Sequence, residues 1–317
     1  MNMKYKLVPI AALFIVGCST TSDMIKAPVA KKVEKKISTH GDTRVDNYFW
    51  MRLSDEQKEA ATPDAQTQDV LDYLNAENDY LKAVMKPTEE LQETLYNEIV
   101  GRIKQDDQSV PVMVNEYLYY TRYEEGQDYP LSCRKFRGED GDEEILLNQP
   151  EMAKGHNYFA VGDQEVSENN QLLAYSVDFV SRRQYTIRFT NLKTGEAYDD
   201  EIKNTTGGIT WANDNKTVFY TKQDEATLRS NQIFKHVLGT PSKQDVLVFE
   251  EKDETFSCGV YKTKSRNFLM ISSYQTLSTE YQFLDANKPD GSWAVFQPRE
   301  RNLEYSVDHF EDNFYIT

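Results

Sequence analysis

The sequence predicts an all-β fold, a β-propeller, preceded by a helical amino-terminal arm. Three observations predict it. Aromatic residues make up 12% of the 317, led by 20 Tyr and 15 Phe, and such side chains suit the pleated, half-buried surface of a strand. From about Val112 onward, short aromatic and β-branched runs alternate with turns rich in Asp, Asn and Gly. Finally, the runs repeat. Tyr117–Thr121, Leu172–Ser176, Val218–Thr221, Phe268–Ser272 and Asn313–Thr317, aligned on their last hydroxyl residue, follow at steps of 55, 45, 51 and 45 residues.

A repeat of about 40–50 residues with four short strands is the pattern of a propeller blade, which buries its faces only by stacking on neighbours. The later runs each follow a turn: Glu168–Asn170, Asn213–Asn215, Lys264–Arg266 and Glu311–Asp312. Further strands come behind them at Tyr185–Asn191, Gln232–Leu238 and Tyr281–Asp285, and Val246–Phe249 and Trp293–Phe296 close two of the units. Residues 111–317 therefore read as an incomplete propeller, with about four blades up to residue 300 and the opening strands of a fifth. The pattern stops inside a strand at Ile316-Thr317, so a cut end with an exposed strand edge is expected there.

The amino terminus reads as a leader. Lys4 and Lys6 precede an apolar run, Leu7–Val16, broken by Pro9. The run is too short for a bilayer core of ~30 Å and fits a signal-peptide core. It ends Ile15-Val16-Gly17-Cys18, which resembles a bacterial lipoprotein signal. Residues 1–18 are thus expected to be a signal peptide ending at a lipidated Cys18, and residues 19–37 a polar, Lys-rich tether. Ordinary cleavage near Gly17, with Cys18 incidental, is the alternative. Acyl chains on Cys18 would anchor the protein to a membrane of the bacterial envelope, facing the periplasm or the exterior, since each buried CH₂ contributes about 0.8 kcal/mol.

Residues 38–110 read as a mainly helical arm. Val70, Leu74, Leu81 and Val84 recur at helical spacing until Pro87. A second stripe, Leu91, Leu95, Ile99 and Ile103, follows Thr88, a candidate N-cap, with Glu89 and Glu90 in the first turn. Both stripes are expected to pack in a core.

Net charge is −16, with +5 on residues 1–36 and −21 on the rest. A body this acidic repels phosphate backbones, which argues against nucleic acid as a partner. It suits solubility, and it would also steer cationic peptides. Three Cys cannot make a disulfide framework. Cys133 and Cys258 lie in different blades and read as structural thiols, as His40, His156, His236 and His309 read as structural histidines. No His sits in H-E-x-x-H or near paired Cys, so no metal or other cofactor is expected. Gly207-Gly208 precedes a strand and is no phosphate loop. There is no G-x-S-x-G elbow and no β-α alternation to carry one, so no residue of this chain is assigned a catalytic role.

Several patches resemble the prolyl oligopeptidase family, in its oligopeptidase B branch. They are His40–Arg52 (HGDTRVDNYFWMR), Val70–Asn78, Ser181–Tyr185, Thr210–Asp214, His236–Thr240 with Gln244-Asp245, Glu250–Asp253 and Glu304–His309. The resemblance runs from about residue 38 to 317. It implies a seven-bladed propeller capping an α/β-hydrolase domain, with access restricted to short peptides that are cleaved after Arg or Lys by a Ser-Asp-His triad. In the family that triad lies in the carboxyl-terminal domain. None of its residues has a counterpart here, and this chain alone is expected to be inactive, with that catalytic domain as its missing partner. The charged pair Arg182 and Arg183 is an expected inter-domain or inter-blade contact, an exposed, solvated turn being the plainer reading. Many relatives are cytoplasmic, which competes with the leader. A lipid-anchored, non-catalytic propeller that binds peptides and a proline-specific relative are the competing functions.

Overall fold

A computed structural model of the chain describes residues 25–138 and 141–317. They form two compact units that divide between Ile103 and Lys104. Cys18 and the expected signal peptide lie outside the described residues.

The first unit opens on a hairpin, β1 (Lys35–Thr39) against β2 (Asp42–Asp46). His40 and Gly41 form its two-residue turn at φ 53° and 83°. That twist matches right-handed strands, and Gly41 adopts it without steric cost. The start of the mainly helical arm expected over residues 38–110 is thus a hairpin. The hairpin also shortens the expected tether, because Lys36 and Ile37 already pair with Val45 and Arg44, and the Trp50 indole donates to the Lys31 carbonyl at 2.8 Å.

Helices follow: α1 (Asp55–Glu59), α2 (Ala65–Met85) and α3 (Glu89–Gly101). Ser54 and Gln57 close a capping box on α1. The Asp64 carboxylate accepts the Thr67 N–H at 2.7 Å and caps α2. Pro87 sits in a 3₁₀ turn, Lys86–Thr88, that joins α2 to α3. Thr88 does not cap α3. Its hydroxyl donates to the Met85 carbonyl at 2.7 Å instead. The two apolar stripes also depart from expectation. Val70 is buried, but Leu74, Leu81 and Val84 are exposed, and Leu91, Leu95 and Ile99 are 46–60% exposed. Periodicity locates an apolar face, and it does not supply what covers it.

The second unit is a stack of blades, each an antiparallel meander. The first is β3 (Val112–Val114), β4 (Tyr117–Arg122), β5 (Leu131–Phe136) and β6 (Glu143–Asn148). A short helix, α4 (Gln149–Ala153), leads to the second: β7 (Ala160–Val166), β8 (Leu172–Asp178), β9 (Tyr185–Asn191) and β10 (Ala197–Trp211). The 15-residue β10 serves two blades. Its part up to Thr205 pairs with β9, and Thr205–Trp211 pairs with β11 (Thr217–Gln223). It is thus the outer strand of one blade and the inner strand of the next. Gly207-Gly208 lies inside this strand, not before it. Gly207 holds φ 101° at the bulge, a conformation that favours glycine.

β12 (Ser230–Val237) and β13 (Val246–Glu250) complete the third blade. The fourth is β14 (Ser257–Lys262), β15 (Phe268–Gln275), β16 (Ser278–Asp285) and β17 (Ala294–Gln297). The hairpin β18 (Val307–Phe310) and β19 (Asn313–Ile316) begins a fifth. The five repeated runs of the sequence are the second strands of the five successive blades, the second and third of which share β10 in one seven-stranded sheet.

The core lies between blades. On β11, Val218 and Tyr220 join Trp211 of β10 and Ile187 and Phe189 of the second blade. The alternate residue Phe219 joins Ile233, Cys258 and Ile271 towards the fourth. A strand with both faces covered reads as a continuous apolar run, which is why the period-2 signal fades there.

Candidate functional site

The inner strands of three blades converge on a cavity of about 380 Å³. Asp163 and Glu165 on β7, Thr210 on β10, Lys262 on β14 and the following Lys264 and Arg266 line it. Glu165 and Arg266 also line a second cavity of about 200 Å³, walled by Val114, Tyr119, Leu146 and Leu173. Propellers place their first strands around a central channel, so these cavities are the channel side of the stack.

The turns that follow the inner strands meet across the blades. Glu168, beyond β7, takes the Lys262 ammonium at 2.5 Å and the Arg266 guanidinium at 2.7 Å. Lys262 also donates to Asn213 Oδ1 at 2.9 Å. Residues from the second, third and fourth blades are thereby tied at one point. Burial alone would raise the Glu168 carboxyl, but Arg266 and Lys262 outweigh it and hold the group below its usual range. Arg134 joins the first blade to the second, donating to Glu144 at 2.7 Å and to the Asn170 carbonyl at 3.0 Å.

Asp163 accepts the N–H groups of Gln164 at 2.8 Å and Ile209 at 2.9 Å, and so stitches β7 to β10. Glu165 is different. Its side chain is exposed to the cavity, yet the protein around it strips away enough water to push its carboxyl up to about 7, with Asp163 adding to the effect.

A second polar cluster is enclosed. His236 has no accessible surface. Its Nδ1 lies 2.7 Å from Asp245 and its Nε2 2.9 Å from Asp200. Burial would lower this imidazole, but the two carboxylates raise it above its ordinary value. His309 is also buried, against Phe268, Phe314 and the Ser265 hydroxyl.

Arg182 and Arg183 lie on the exposed β8–β9 loop. The buried Asp178 carboxylate holds that loop, accepting the N–H groups of Val180, Ser181, Arg182 and Arg183 at 2.7–3.1 Å. The contact to the next blade runs through the Arg183 carbonyl, which accepts from Gln223 Nε2 at 2.7 Å. Neither guanidinium makes an ion pair or hydrogen bond among the described residues. Cys133 and Cys258 are buried, and burial pushes their thiols up to about 11 and about 12, far from a thiolate nucleophile. Among the described residues no group of three or more His, Cys, Asp or Glu is set to hold a metal, and no helix is long and apolar enough to cross a membrane.

Sequence reasoning missed Glu165, Glu168, Lys262 and the His236 cluster. The signal for Glu168 and Arg266 was present, since both sit in the turn before the repeated run.

Residues 28–317 match the family model of the prolyl oligopeptidase N-terminal β-propeller domain. The chain is 39% identical to dipeptidyl aminopeptidase BI of Pseudoxanthomonas mexicana, across 99% of this chain and 45% of that protein. Identity to protease 2 of Moraxella lacunata is 30%, across 92% and 42%. Among solved structures, oligopeptidase B from Leishmania major aligns with TM-score 0.81 and 29% identity, and covers 92% of this chain and 42% of that one. Oligopeptidase B from Trypanosoma brucei, with covalently bound antipain, gives 0.78 and 28% over the same shares. The chain thus spans less than half the length of these relatives.

Proposed function

This chain belongs to the prolyl oligopeptidase family, and we propose that it is the propeller half of a serine oligopeptidase that hydrolyses short peptides after Arg or Lys. The observation that carries this reading is the extent of the match, one peptidase-family propeller over residues 28–317. In this reading the stacked blades exclude folded proteins and pass short peptides to a catalytic domain. There a His base activates Ser, an Asp orients the His, and backbone donors stabilise the oxyanion. The charge of −21 on residues 37–317 draws cationic peptides towards the molecule.

The 39% identity to a dipeptidyl aminopeptidase favours a second reading, release of dipeptides from a free amino end. Mass spectrometry of products separates the two. The product of the whole open reading frame is incubated with peptides carrying internal Arg, Lys or Pro, each with a free and an acetylated amino terminus. Cleavage after Arg or Lys in both forms supports the endopeptidase. Dipeptide release from free termini alone supports the second reading. Cleavage after Pro, or none, overturns both.

We also propose that Cys18 anchors the protein to the bacterial envelope. The support is the order of the leader, Leu7–Val16 followed at once by Gly17-Cys18. Cys18→Ser is expected to move the protein from the membrane fraction to the soluble fraction. Unchanged fractionation would remove the anchor.

A further inference from the structure

We propose that Glu165 is a cation-binding subsite of the channel, which takes the ammonium or guanidinium group of a short peptide. The inference rests on the reading of this chain as part of a peptide-handling enzyme, and it deepens that reading by naming a selective residue.

The charged side chains that line the larger cavity are engaged, with one exception. Asp163 holds two backbone N–H groups. Lys262 and Arg266 are committed to Glu168. The Lys264 ammonium lies 5.4 Å from the centre of the Phe310 ring. Glu165 alone makes no side-chain hydrogen bond, ion pair or ring contact among the described residues. It opens on both cavities at once.

A carboxylate without a direct partner in a recessed wall is unfavourable when ionised; Arg266 and Lys262 nearby offset only part of that, and an arriving cation relieves the rest. The raised carboxyl of Glu165 reports the same imbalance. A second, independent feature points the same way. Gln164, next in the chain, lines the smaller cavity, and its Oε1 is buried without a hydrogen-bond partner. A buried acceptor without a donor is costly. The Glu165 carboxylate is already exposed to a guanidinium or ammonium group, and a turn of the Gln164 amide about its side-chain bonds would let its oxygen accept from the same ligand. The apolar wall of Val114, Leu146 and Leu173 suits the aliphatic stem of an Arg or Lys side chain.

The test is calorimetric titration of the chain with three tripeptide amides: acetyl-Gly-Arg-Gly, acetyl-Gly-Gln-Gly and unblocked Gly-Gln-Gly. The first carries only a side-chain cation and the third only a terminal one. At pH 8 the wild type is expected to bind one or both cationic peptides at least about tenfold more tightly than the neutral one, the size of a charge-assisted hydrogen bond. Whichever cationic peptide gains identifies the source of the charge. The isosteric Glu165→Gln is expected to erase the gain, and Glu165→Asp to keep part of it. For acetyl-Gly-Arg-Gly, affinity should rise from pH 6 to 8 as the carboxyl ionises, and stay flat in Glu165→Gln. A preference that survives in Glu165→Gln, or no preference in the wild type, overturns the subsite. The same peptides are offered to the product of the whole open reading frame. Cleavage without a Glu165 effect removes the subsite and keeps the peptidase. Glu165-dependent binding without cleavage removes the peptidase and keeps the subsite.

Discussion

His236 has no accessible surface, yet both of its ring nitrogens face carboxylate oxygens. Both must then donate, which only the imidazolium does. Burial opposes that charge, and the two carboxylates outweigh it. Asp200 comes from β10 of the second blade and also accepts the Gly239 N–H at 2.7 Å. Asp245 precedes β13 and accepts the Tyr220 hydroxyl at 2.8 Å. The Phe189 ring stacks on the imidazole, centroids 5.6 Å apart. The cluster is a charged staple between two blades. Its folded pKa is raised above the unfolded value of about 6.5. Its stabilisation is therefore full below that pH and is lost as pH climbs through the folded value. His236→Gln is expected to cost about 3–5 kcal/mol at pH 6, since it leaves two buried carboxylates unpaired. It should also flatten the fall in stability above pH 6.5. Glu165, raised to about 7, adds a loss of its own as pH rises towards that value, but that loss is common to both proteins and cancels in the difference. Urea midpoints from pH 6 to 9 check this. Parallel pH profiles for the two proteins would show that the staple is uncharged.

At the level of elements, β10 shows how one strand divides between two sheets. Its pairing passes from β9 to β11 at Thr205, and Gly207 holds the bulge that follows. A Cβ on Gly207 would stand 3.0 Å from the Tyr185 ring, with the backbone at a φ that L side chains resist. Gly207→Ala is expected to destabilise the fold by more than about 1 kcal/mol, read as a lower thermal midpoint with unchanged far-ultraviolet ellipticity. A neutral effect would mean that the bulge relaxes freely. The same element marks where sequence reasoning failed. A Gly-Gly pair reads as an interruption, and only the sheet around it makes it a bend inside a continuous strand. By contrast β4, β8, β11, β15 and β19 were all legible, because each carries the aromatic and β-branched run that the blade must bury. The arm was half legible. Spacing gave α2 and α3 their apolar faces, but Leu91, Leu95 and Ile99 remain exposed, because a stripe records a need for cover and not its source. The cavity residues were illegible for a related reason. Glu165 differs from the unpaired acidic residues of the surface by lining two cavities, and those cavities are set by neighbouring blades far along the sequence.

For the molecule as a whole, the acidic charge sets a term that no single contact reveals. Residues 37–317 carry −21, and many of their ion pairs are exposed, such as Lys154 with Glu151 and Lys288 with Asp285. Exposed pairs contribute about 0–1 kcal/mol each, too little to offset repulsion spread over every blade. The buried ties differ, because Glu168 with Lys262 is largely shielded from ions. Salt should therefore weaken the repulsion far more than it weakens the ties. Raising ionic strength from ~0.01 M to ~0.15 M shortens the screening length from about 30 Å to about 8 Å. The thermal midpoint of the chain is expected to rise by several degrees over that range at pH 8, and then to level off. A midpoint that falls with added salt would mean that attractive surface pairs outweigh the net charge, and that the acidity serves the approach of cationic ligands without a cost in stability.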